Sequence, residues 1–277
     1  MKAIFKKNQG YIICIDGGIC SQISQYLIGY ELEKLGYDVK YDLTWFLING
    51  RDLNGKRNRK FDLSKLSPEL NIEQPSFIER TFYKRKFYFE GVGGTIDQIP
   101  LPPAYLGGYY NLSPEVIREL PKVISFTDEL DEKNRKIYTE IANRRNSVGV
   151  HVRRGDMAND NGYWENLTPD YYKKAMDYFS DGFFYFFSDD MDWVKENIVN
   201  DVNDEHYKLV NINNDDKGYL DLILLAQCKN YICSSGSLGK FASVFSNSLN
   251  KKVIVPNKNY EFWSKVLCDS EVVKVGV

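Results

Sequence analysis

The sequence is poor in histidine, has no paired cysteine motif and contains no long apolar run. Its two histidines, His151 and His206, lie far apart in the chain and leave little material for a zinc site. The five cysteines are an odd set without a C-x-x-C pair, which predicts reduced, structural thiols. No stretch approaches the roughly 20 consecutive apolar residues that cross a bilayer, and the first residues do not fit a signal peptide. We therefore expect a soluble, cytoplasmic protein without a membrane span.

A strong excess of charge of either sign is also missing. The 277 residues include 36 lysines and arginines against 38 aspartates and glutamates, a formal net charge of -2. A nearly neutral chain has no global field to hold nucleic acid, so an anionic ligand must be bound by a local basic cluster. The hydrophobic share of 43% is typical of a globular protein, and the length exceeds the usual single-domain size. The chain is therefore expected to form two domains.

The N-terminal half begins with a pattern typical of an α/β unit. An apolar run over 11–16 predicts a buried strand, Gly17-Gly18 follows it, and a helical pattern extends over 19–35. A G-x-G-x-x-G motif is absent, so a dinucleotide site is only weakly indicated. The stretch from about 49 to 103 is irregular, aromatic and basic, and it supports no definite assignment beyond partial helix.

The C-terminal half alternates regularly between strands and helices. The alternation runs from a predicted strand over 147–152, through strands over 183–187, 207–212 and 231–233, to a strand over 252–255. Such alternation predicts a parallel sheet covered by helices. Ligands of parallel sheets bind at the carboxyl ends of the strands, so candidate sites should lie directly after strands.

Three polar clusters follow strands of this half, and their placement predicts one common site. The arginines of the first cluster can hold diphosphate oxygens by bidentate, charge-assisted hydrogen bonds. The serines of the third precede a helix whose free N–H groups offer a second phosphate cradle. The clusters are His151-Val152-Arg153-Arg154-Gly155-Asp156, Ser188-Asp189-Asp190 and Ser234-Ser235-Gly236-Ser237.

Each cluster also has an interpretation without a ligand. An Arg-Arg pair is commonly a solvated surface feature, and Arg154-Gly155-Asp156 spells a cell-adhesion tripeptide, which works only on an exposed loop tip. Ser188-Asp189-Asp190 can cap the helix predicted from Met191. Asp190-Met191-Asp192 has a carboxylate spacing by which some enzymes bind a divalent cation. On a helix, however, successive side chains diverge, so capping is the better account of that spacing.

In this order the segments resemble the signature of the α-1,2-fucosyltransferases of glycosyltransferase family 11, over nearly the whole chain. The most specific segment, 150–156, is similar to the family motif His-x-Arg-Arg-Gly-Asp. The segments 17–26, 107–111, 187–194 and 221–228 are similar to further family segments. The last motif departs from the pattern, because the family usually has Asn-Ser-Ser-Phe-Ser-Trp-Trp. This chain has Cys233-Ser234-Ser235-Gly236-Ser237-Leu238-Gly239.

The resemblance implies an α/β fold of GT-B type, with two facing Rossmann-like domains built on parallel sheets. Residues 1–146 would form the acceptor-side domain and residues 147–277 the GDP-sugar-binding domain. The implied reaction is an inverting transfer of L-fucose from GDP-β-L-fucose to the 2-hydroxyl of a galactose-containing glycan, with no metal or other cofactor. The expected partners are GDP-fucose and a β-galactoside acceptor.

The same resemblance implies roles for the residues of the clusters. Arg153 would stabilise the negative charge of the departing diphosphate, and Asp16 or Asp156 would serve as the general base. The predicted catalytic residues are thus Arg153, Asp156 and Asp16. The predicted donor-binding residues are His151, Arg154, Gly17, Gly18, Gln22, Asp189, Asp190, Asp221, Ser234, Ser235 and Ser237, and no metal ligand is predicted.

Two alternatives stay open at this point. A glycosyltransferase of the same fold with another GDP-sugar would carry the same arginines. A non-catalytic module that binds GDP or glycan is favoured by the altered serine motif. The many tyrosines and lysines with few prolines suggest a bacterial gene, which would fit a cell-surface polysaccharide pathway.

Overall fold

The computed structural model describes residues 10–48, 59–155, 167–214 and 217–276. The chain forms two compact units, Met1–Ile117 and Arg118–Val277, each with its own parallel sheet. The predicted α/β class with parallel sheets is confirmed. The units divide after Ile117, earlier than the predicted boundary at 146/147. The reason is that the helix Glu132–Asn143 packs on the helix Gly218–Leu225 of the second unit.

The first unit is built on a four-stranded sheet in the order β2-β1-β4-β3, with parallel neighbours throughout. Its strands are β1 (Gly10–Cys14), β2 (Asp38–Asp42), β3 (Tyr88–Thr95) and β4 (Ala104–Asn111). Its helices are α1 (Ile19–Lys34), α2 (Thr44–Ile48), α3 (Leu63–Leu66), α4 (Phe77–Lys86) and, at the boundary, α5 (Pro114–Arg118). The predicted strand and helix at the start of the chain are confirmed as β1 and α1.

Helix α1 packs closely on β2 because it carries a glycine at the contact. A Cβ atom at Gly29 would overlap the ring and hydroxyl of Tyr41. Tyr41 is buried, and its ring stacks on that of Tyr26, with centroids 5.2 Å apart. The absence of a side chain at Gly29 therefore sets how near α1 lies to the sheet.

The second unit is built on a six-stranded parallel sheet in the order β10-β9-β8-β5-β6-β7. Its strands are β5 (Ser147–Val152), β6 (Phe183–Ser188), β7 (Tyr207–Leu209), β8 (Asn230–Ile232), β9 (Lys252–Pro256) and β10 (Glu271–Val275). Its helices are α6 (Leu120–Val123), α7 (Glu132–Asn143), α8 (Pro169–Met176), α9 (Met191–Asn197), α10 (Gly218–Leu225), α11 (Ser237–Phe245) and α12 (Tyr260–Val266). The alternation predicted from the sequence is confirmed, while β7 is shorter than predicted.

Strand β5 lies in the middle of this sheet, and every one of its residues is buried. Val148, Val150 and Val152 belong to one hydrophobic core together with Tyr171 and Phe186. The alternate residues face the opposite layer, where a Cβ on Gly149 would meet Leu225 of α10 and a Cβ on Gly239 of α11 would meet His151. The strand therefore carries His151 toward α11.

The helices of the described ranges are all too short or too polar to cross a lipid bilayer.

Candidate functional site

The carboxyl ends of β8, β5 and β6 are neighbours in the second sheet, and they bring the three predicted clusters together. Arg153 follows β5, and its Nη1 lies 2.9 Å from Oδ2 of Asp189, which follows β6. Nδ1 of His151 on β5 lies 2.9 Å from Oγ of Ser234, which follows β8. The prediction of one common cluster is therefore confirmed.

Asp189 organises both arginines with its two carboxylate oxygens. Oδ2 pairs with the guanidinium of Arg153, and Oδ1 accepts a hydrogen bond of 2.9 Å from the backbone N–H of Arg154. The side chains of Asp189 and Arg153 are only 8% and 19% exposed. Arg153 is thus a positioned, largely buried cation at a strand end and not a solvated surface residue.

Arg154 is held by an aromatic ring. Its guanidinium lies 4.0 Å from the ring centroid of Trp193 on α9, and its Nε lies 3.8 Å from Oδ2 of Asp190. That Nε is buried and has no hydrogen-bond partner among the described residues. The stacked guanidinium offers a fixed positive charge beside Arg153.

The capping interpretation of Asp190 is confirmed. Its Oδ1 accepts a hydrogen bond of 3.1 Å from the backbone N–H of Trp193, and its own N–H donates to Ser188 Oγ at 3.0 Å. Asp192 is 86% exposed and pairs with Lys195. Over the described ranges, no group of three or more His, Cys, Asp or Glu side chains is placed to hold a metal ion.

His151 is neutral and fixes the serine loop. Burial lowers its pKa to about 3, with the charges of Arg153 and Lys240 acting in the same direction and Asp189 opposing them. Nδ1 accepts from the Gly239 N–H at 3.4 Å, which places the ring proton on Nε2. Ser234 Oγ, which donates to Nδ1, accepts in turn from the Gly236 N–H at 3.2 Å. The histidine therefore ties β5 to the start of α11.

Two glycines allow this close contact. A Cβ at Gly239 would lie 2.8 Å from Cβ of His151. A Cβ at Gly236 would lie 3.2 Å from Cε1 of His151 and 3.3 Å from Cγ of Arg153. Sequence reasoning did not identify these roles, although the signal was present. Both glycines stand where the family pattern has aromatic residues.

Lys240 is a second functional candidate that sequence reasoning missed. It lies on the first turn of α11 and is 3% exposed. Its Nζ donates to the Ser235 carbonyl at 2.7 Å and to Oδ1 of Asn259 at 3.2 Å. A lysine inside the apolar pattern of α11 was the available sequence signal. Its ammonium fixes the backbone of the serine loop.

The three predicted serines differ in their surroundings. Ser234 and Ser235 are buried, and Ser237 is exposed at the first position of α11. The N-cap residue Gly236 provides no side-chain cap, and the N–H groups of Gly236 and Gly239 donate to Ser234 Oγ and His151 Nδ1. The loop thus brings Gly236 against the Arg153 side chain, and the exposed Ser237 follows it directly in the chain.

Asp221 forms a hydrogen bond away from the three clusters. It lies in the first turn of α10, and its Oδ1 accepts a hydrogen bond of 2.8 Å from Asn213 Nδ2. Asn213 is joined in turn to Asn134 of α7 by two amide hydrogen bonds of 2.9 and 3.0 Å. The contacts of Asp221 link helices α10 and α7.

Asp16 follows β1 in the first unit and is held by an amide. Gln25 Nε2 donates to Asp16 Oδ1 at 2.8 Å, and the Asp16 N–H donates to Gln25 Oε1 at 2.9 Å. Burial raises the pKa of Asp16, which hydrogen bonds from Gln25 and Tyr109 partly offset. Burial and the neighbouring Asp16 raise the pKa of Tyr109 to about 12. Tyr109 is a further residue that sequence reasoning missed.

The other predicted residues of the first unit lie at the start of α1. Gly17 has a φ of +71°, a conformation that favours glycine, and Gly18 is the N-cap residue. The amide of Gln22 donates to the carbonyls of Gly17 and Lys60 and accepts from the N–H groups of Asp62 and Leu63. These four bonds give Gln22 a structural role, and donor binding by Gln22 stays a prediction.

Asp156, the third predicted catalytic residue, lies outside the described residues.

Comparison with known families gives one match that covers most of the chain. The model of glycosyl transferase family 11 matches residues 65–271.

Curated relatives are similar over about half of the chain. Galactoside alpha-(1,2)-fucosyltransferase 2 of Mus musculus is 31% identical over 144 residues, covering 49% of this chain and 40% of that protein. The O-antigen biosynthesis glycosyltransferase WbnK of Escherichia coli is 28% identical over 125 residues, covering 43% of this chain and 40% of that protein. The chain thus spans about two fifths of the length of these relatives.

Solved structures show the same fold. NodZ alpha-1,6-fucosyltransferase co-crystallized with GDP superposes with a TM-score of 0.52 at 15% identity, covering 87% of this chain and 93% of that chain. The fucosyltransferase NodZ from Bradyrhizobium gives 0.50 at 14% identity, covering 87% of this chain and 94% of that chain. The predicted GT-B class is confirmed.

Proposed function

The chain belongs to glycosyltransferase family 11, and on that premise we propose that it is an inverting fucosyltransferase that uses GDP-β-L-fucose. The proposed acceptor is the 2-hydroxyl of a galactose in a glycan. The names of two relatives support this choice, because the proteins from Mus musculus and Bos taurus are both galactoside α-1,2-fucosyltransferases by name.

The position of Arg153 is the observation that carries the proposal. Fucosyl transfer leaves negative charge on the β-phosphate of GDP while the anomeric carbon becomes oxocarbenium-like. Arg153 is held at the end of β5 by Asp189, and its side chain lies against Gly236 of the serine loop. Preorganised donors of this kind stabilise a leaving diphosphate with little rearrangement. In our proposal Arg153 and Arg154 provide the positive charge, and no metal ion takes part.

We propose that one of two carboxylates acts as the general base. Asp16 is supported by its raised pKa and its hydrogen bond to Tyr109, since a more basic carboxylate accepts a hydroxyl proton more readily. Asp156 remains the alternative. The base would take the proton of the acceptor hydroxyl while the hydroxyl oxygen attacks the anomeric carbon of the sugar from the face opposite GDP.

The proposal is tested by GDP release from GDP-fucose with lactose or N-acetyllactosamine as acceptor, with and without EDTA. We expect release that depends on acceptor and resists EDTA. Arg153→Ala should lower turnover roughly 10²- to 10⁴-fold, because a charge-stabilising donor is lost. Arg145→Ala, which removes an exposed arginine preceding β5, is the matched control and should retain turnover. Full activity of the Arg153→Ala protein would contradict the proposed role.

A second candidate is the same transfer with another GDP-sugar, and Gly236 is the observation that favours it. This residue lies against Arg153 where the family pattern has a phenylalanine, so the surroundings of the sugar differ from that pattern. Competition between GDP-fucose and GDP-mannose separates the two donors. A protein that binds GDP but transfers neither sugar would instead be a non-catalytic binding module.

A further inference from the structure

Helix α4 has its polar and apolar faces reversed relative to a helix packed on a sheet. Its inward contacts are charged, with Lys40 Nζ 3.0 Å from Oε2 of Glu79 and Arg80 Nη1 3.8 Å from Oδ1 of Asp42. Not one of its residues is buried. The helix is therefore attached to its unit by ion pairs and by the half-buried Tyr83, whose ring packs on Phe87 with centroids 5.8 Å apart, and not by a buried apolar stripe.

The outward side of α4 carries the apolar residues. Phe77, Ile78 and Phe82 are 71%, 80% and 53% exposed. Ile78, Phe82 and Arg85 stand at spacings of four and three residues, so they share one side of the helix. We call Phe77, Ile78, Phe82, Arg85 and Lys86 the α4 face.

The exposed charges of α4 are all positive. Lys84, Arg85 and Lys86 are exposed in its last turn, whereas its one acidic residue, Glu79, is paired with Lys40. Cations in the last turn interact favourably with the negative end of the helix dipole, which accounts for the position of these three residues. The dipole does not account for three exposed apolar side chains on the turns before them.

A further exposed apolar residue lies near the end of α4. Leu101, which is 83% exposed, precedes β4, and β3 follows α4 directly. The parallel pairing of Tyr88 with Tyr105 places the starts of β3 and β4 side by side. Leu101 and the basic end of α4 therefore lie at the same edge of the first sheet.

We propose that the α4 face docks the protein on an anionic lipid surface. Aromatic and aliphatic side chains enter the boundary between headgroups and acyl chains, and flanking cations pair with lipid phosphates. Ile78, Phe82 and Arg85 provide both groups on one side of the helix, Phe77 and Lys86 lie at the two margins of that side, and no carboxylate is among the five residues. The positive sign of its exposed charges favours anionic lipid over an electrically neutral protein groove.

The test is co-sedimentation of the full chain with vesicles of phosphatidylcholine that contain about a third phosphatidylglycerol, against vesicles of phosphatidylcholine alone. We expect binding to the anionic vesicles that weakens when salt is raised. Ile78→Ser/Phe82→Ser should bind about tenfold more weakly. Arg85→Gln/Lys86→Gln should weaken binding to a similar extent and reduce its salt dependence.

Matched controls exist elsewhere in the chain. Leu249→Ser removes an apolar side chain that is 89% exposed in the second unit, and Lys133→Gln/Lys136→Gln removes two exposed cations of α7. Both should bind like the unchanged protein. Circular dichroism and the melting temperature confirm that each variant is folded.

Three results would overturn the proposal: no sedimentation of the unchanged protein with anionic vesicles, equal binding to neutral vesicles, or equal loss in the Leu249→Ser control. Self-association that is lost in Ile78→Ser/Phe82→Ser, without vesicle binding, would assign the α4 face to a second copy and also overturn it. The substituted residues lie outside the proposed site, so transfer to a soluble acceptor should be unchanged. Failure of that transfer in the unchanged protein would bear on the proposed function and not on docking.

Discussion

His151 is the titratable residue on which the candidate site is centred. Ser234 and Gly239 hydrogen-bond to its Nδ1, and Gly236 lies against its ring. Because its ring is neutral and accepts through Nδ1, the arrangement of the serine loop depends on its protonation state. Arg153 is paired with Asp189, and the charges of both residues act on the pKa of His151.

The low pKa of His151 predicts a pH dependence of stability. The pKa is about 3 in the folded protein against an ordinary value of 6.5. Between these values the unfolded chain binds a proton that the folded chain does not, so stability falls as pH falls from 6.5 toward 3. When the pH is lowered from 7 to 5, the free energy of unfolding of the unchanged protein should fall by about 2 kcal/mol more than that of the His151→Gln variant. Urea unfolding of both proteins at the two pH values measures this, and equal losses would contradict it.

At the scale of secondary-structure elements, the contact of α1 with β2 depends on Gly29. In an exposed helix, Gly→Ala stabilises by about 1 kcal/mol because alanine favours the helix. At Gly29 the added methyl group would overlap Tyr41, so we expect Gly29→Ala to destabilise the protein by about 1–3 kcal/mol.

The control for Gly29→Ala is the same change combined with Tyr41→Phe. Removing the hydroxyl removes the atom nearest to the new methyl group, so part of the lost stability should return. Thermal unfolding of the two single variants and the double variant measures the coupling free energy between positions 29 and 41. A stabilising Gly29→Ala would show that α1 can move away from β2 at little cost.

The elements also show how far the sequence alone determines the fold. β1, β5 and α11 were predictable because each is an apolar segment bounded by glycine or polar residues. β3 and β4 were not predicted, because Gly93-Gly94 and Gly107-Gly108 weaken their strand patterns and pairing with a neighbour decides their conformation.

Part of the candidate site was also predictable from the order of strands and polar residues in the sequence. Polar residues after three strands had to meet if the strands were parallel neighbours. Gly239 and Lys240 stood out in the sequence, but their contact partners were not predictable, since these contacts join α11 to β5 and to Asn259 across the tertiary fold.

At the scale of the whole molecule, the two units carry different parts of the proposed reaction. The second unit holds the cluster around Arg153, and the first unit holds Asp16. The family match at 65–271 includes parts of both units, so both belong to the family pattern.

This division predicts how GDP should affect the full chain. At about 100 times its Kd, a ligand stabilises the folded state by about 2.7 kcal/mol, which slows hydrogen exchange where it binds. With GDP we expect the largest slowing of amide exchange at 152–155, 188–193 and 233–240, and a smaller change at 16–22. Hydrogen exchange followed by mass spectrometry of peptides gives the map. Protection confined to 16–22 would contradict the assignment of the nucleotide to the second unit.

The pairing of Asp189 with Arg153 has a consequence for ion selectivity. Without ligand the guanidinium already has a resident counterion, so a chloride or other monovalent anion gains little by approaching it. A diphosphate brings more charge and several oxygens, and it can engage Arg153 while Asp189 keeps its hydrogen bond to the Arg154 N–H. If the proposed function holds, we therefore expect the site to favour a multiply charged nucleotide over monovalent anions.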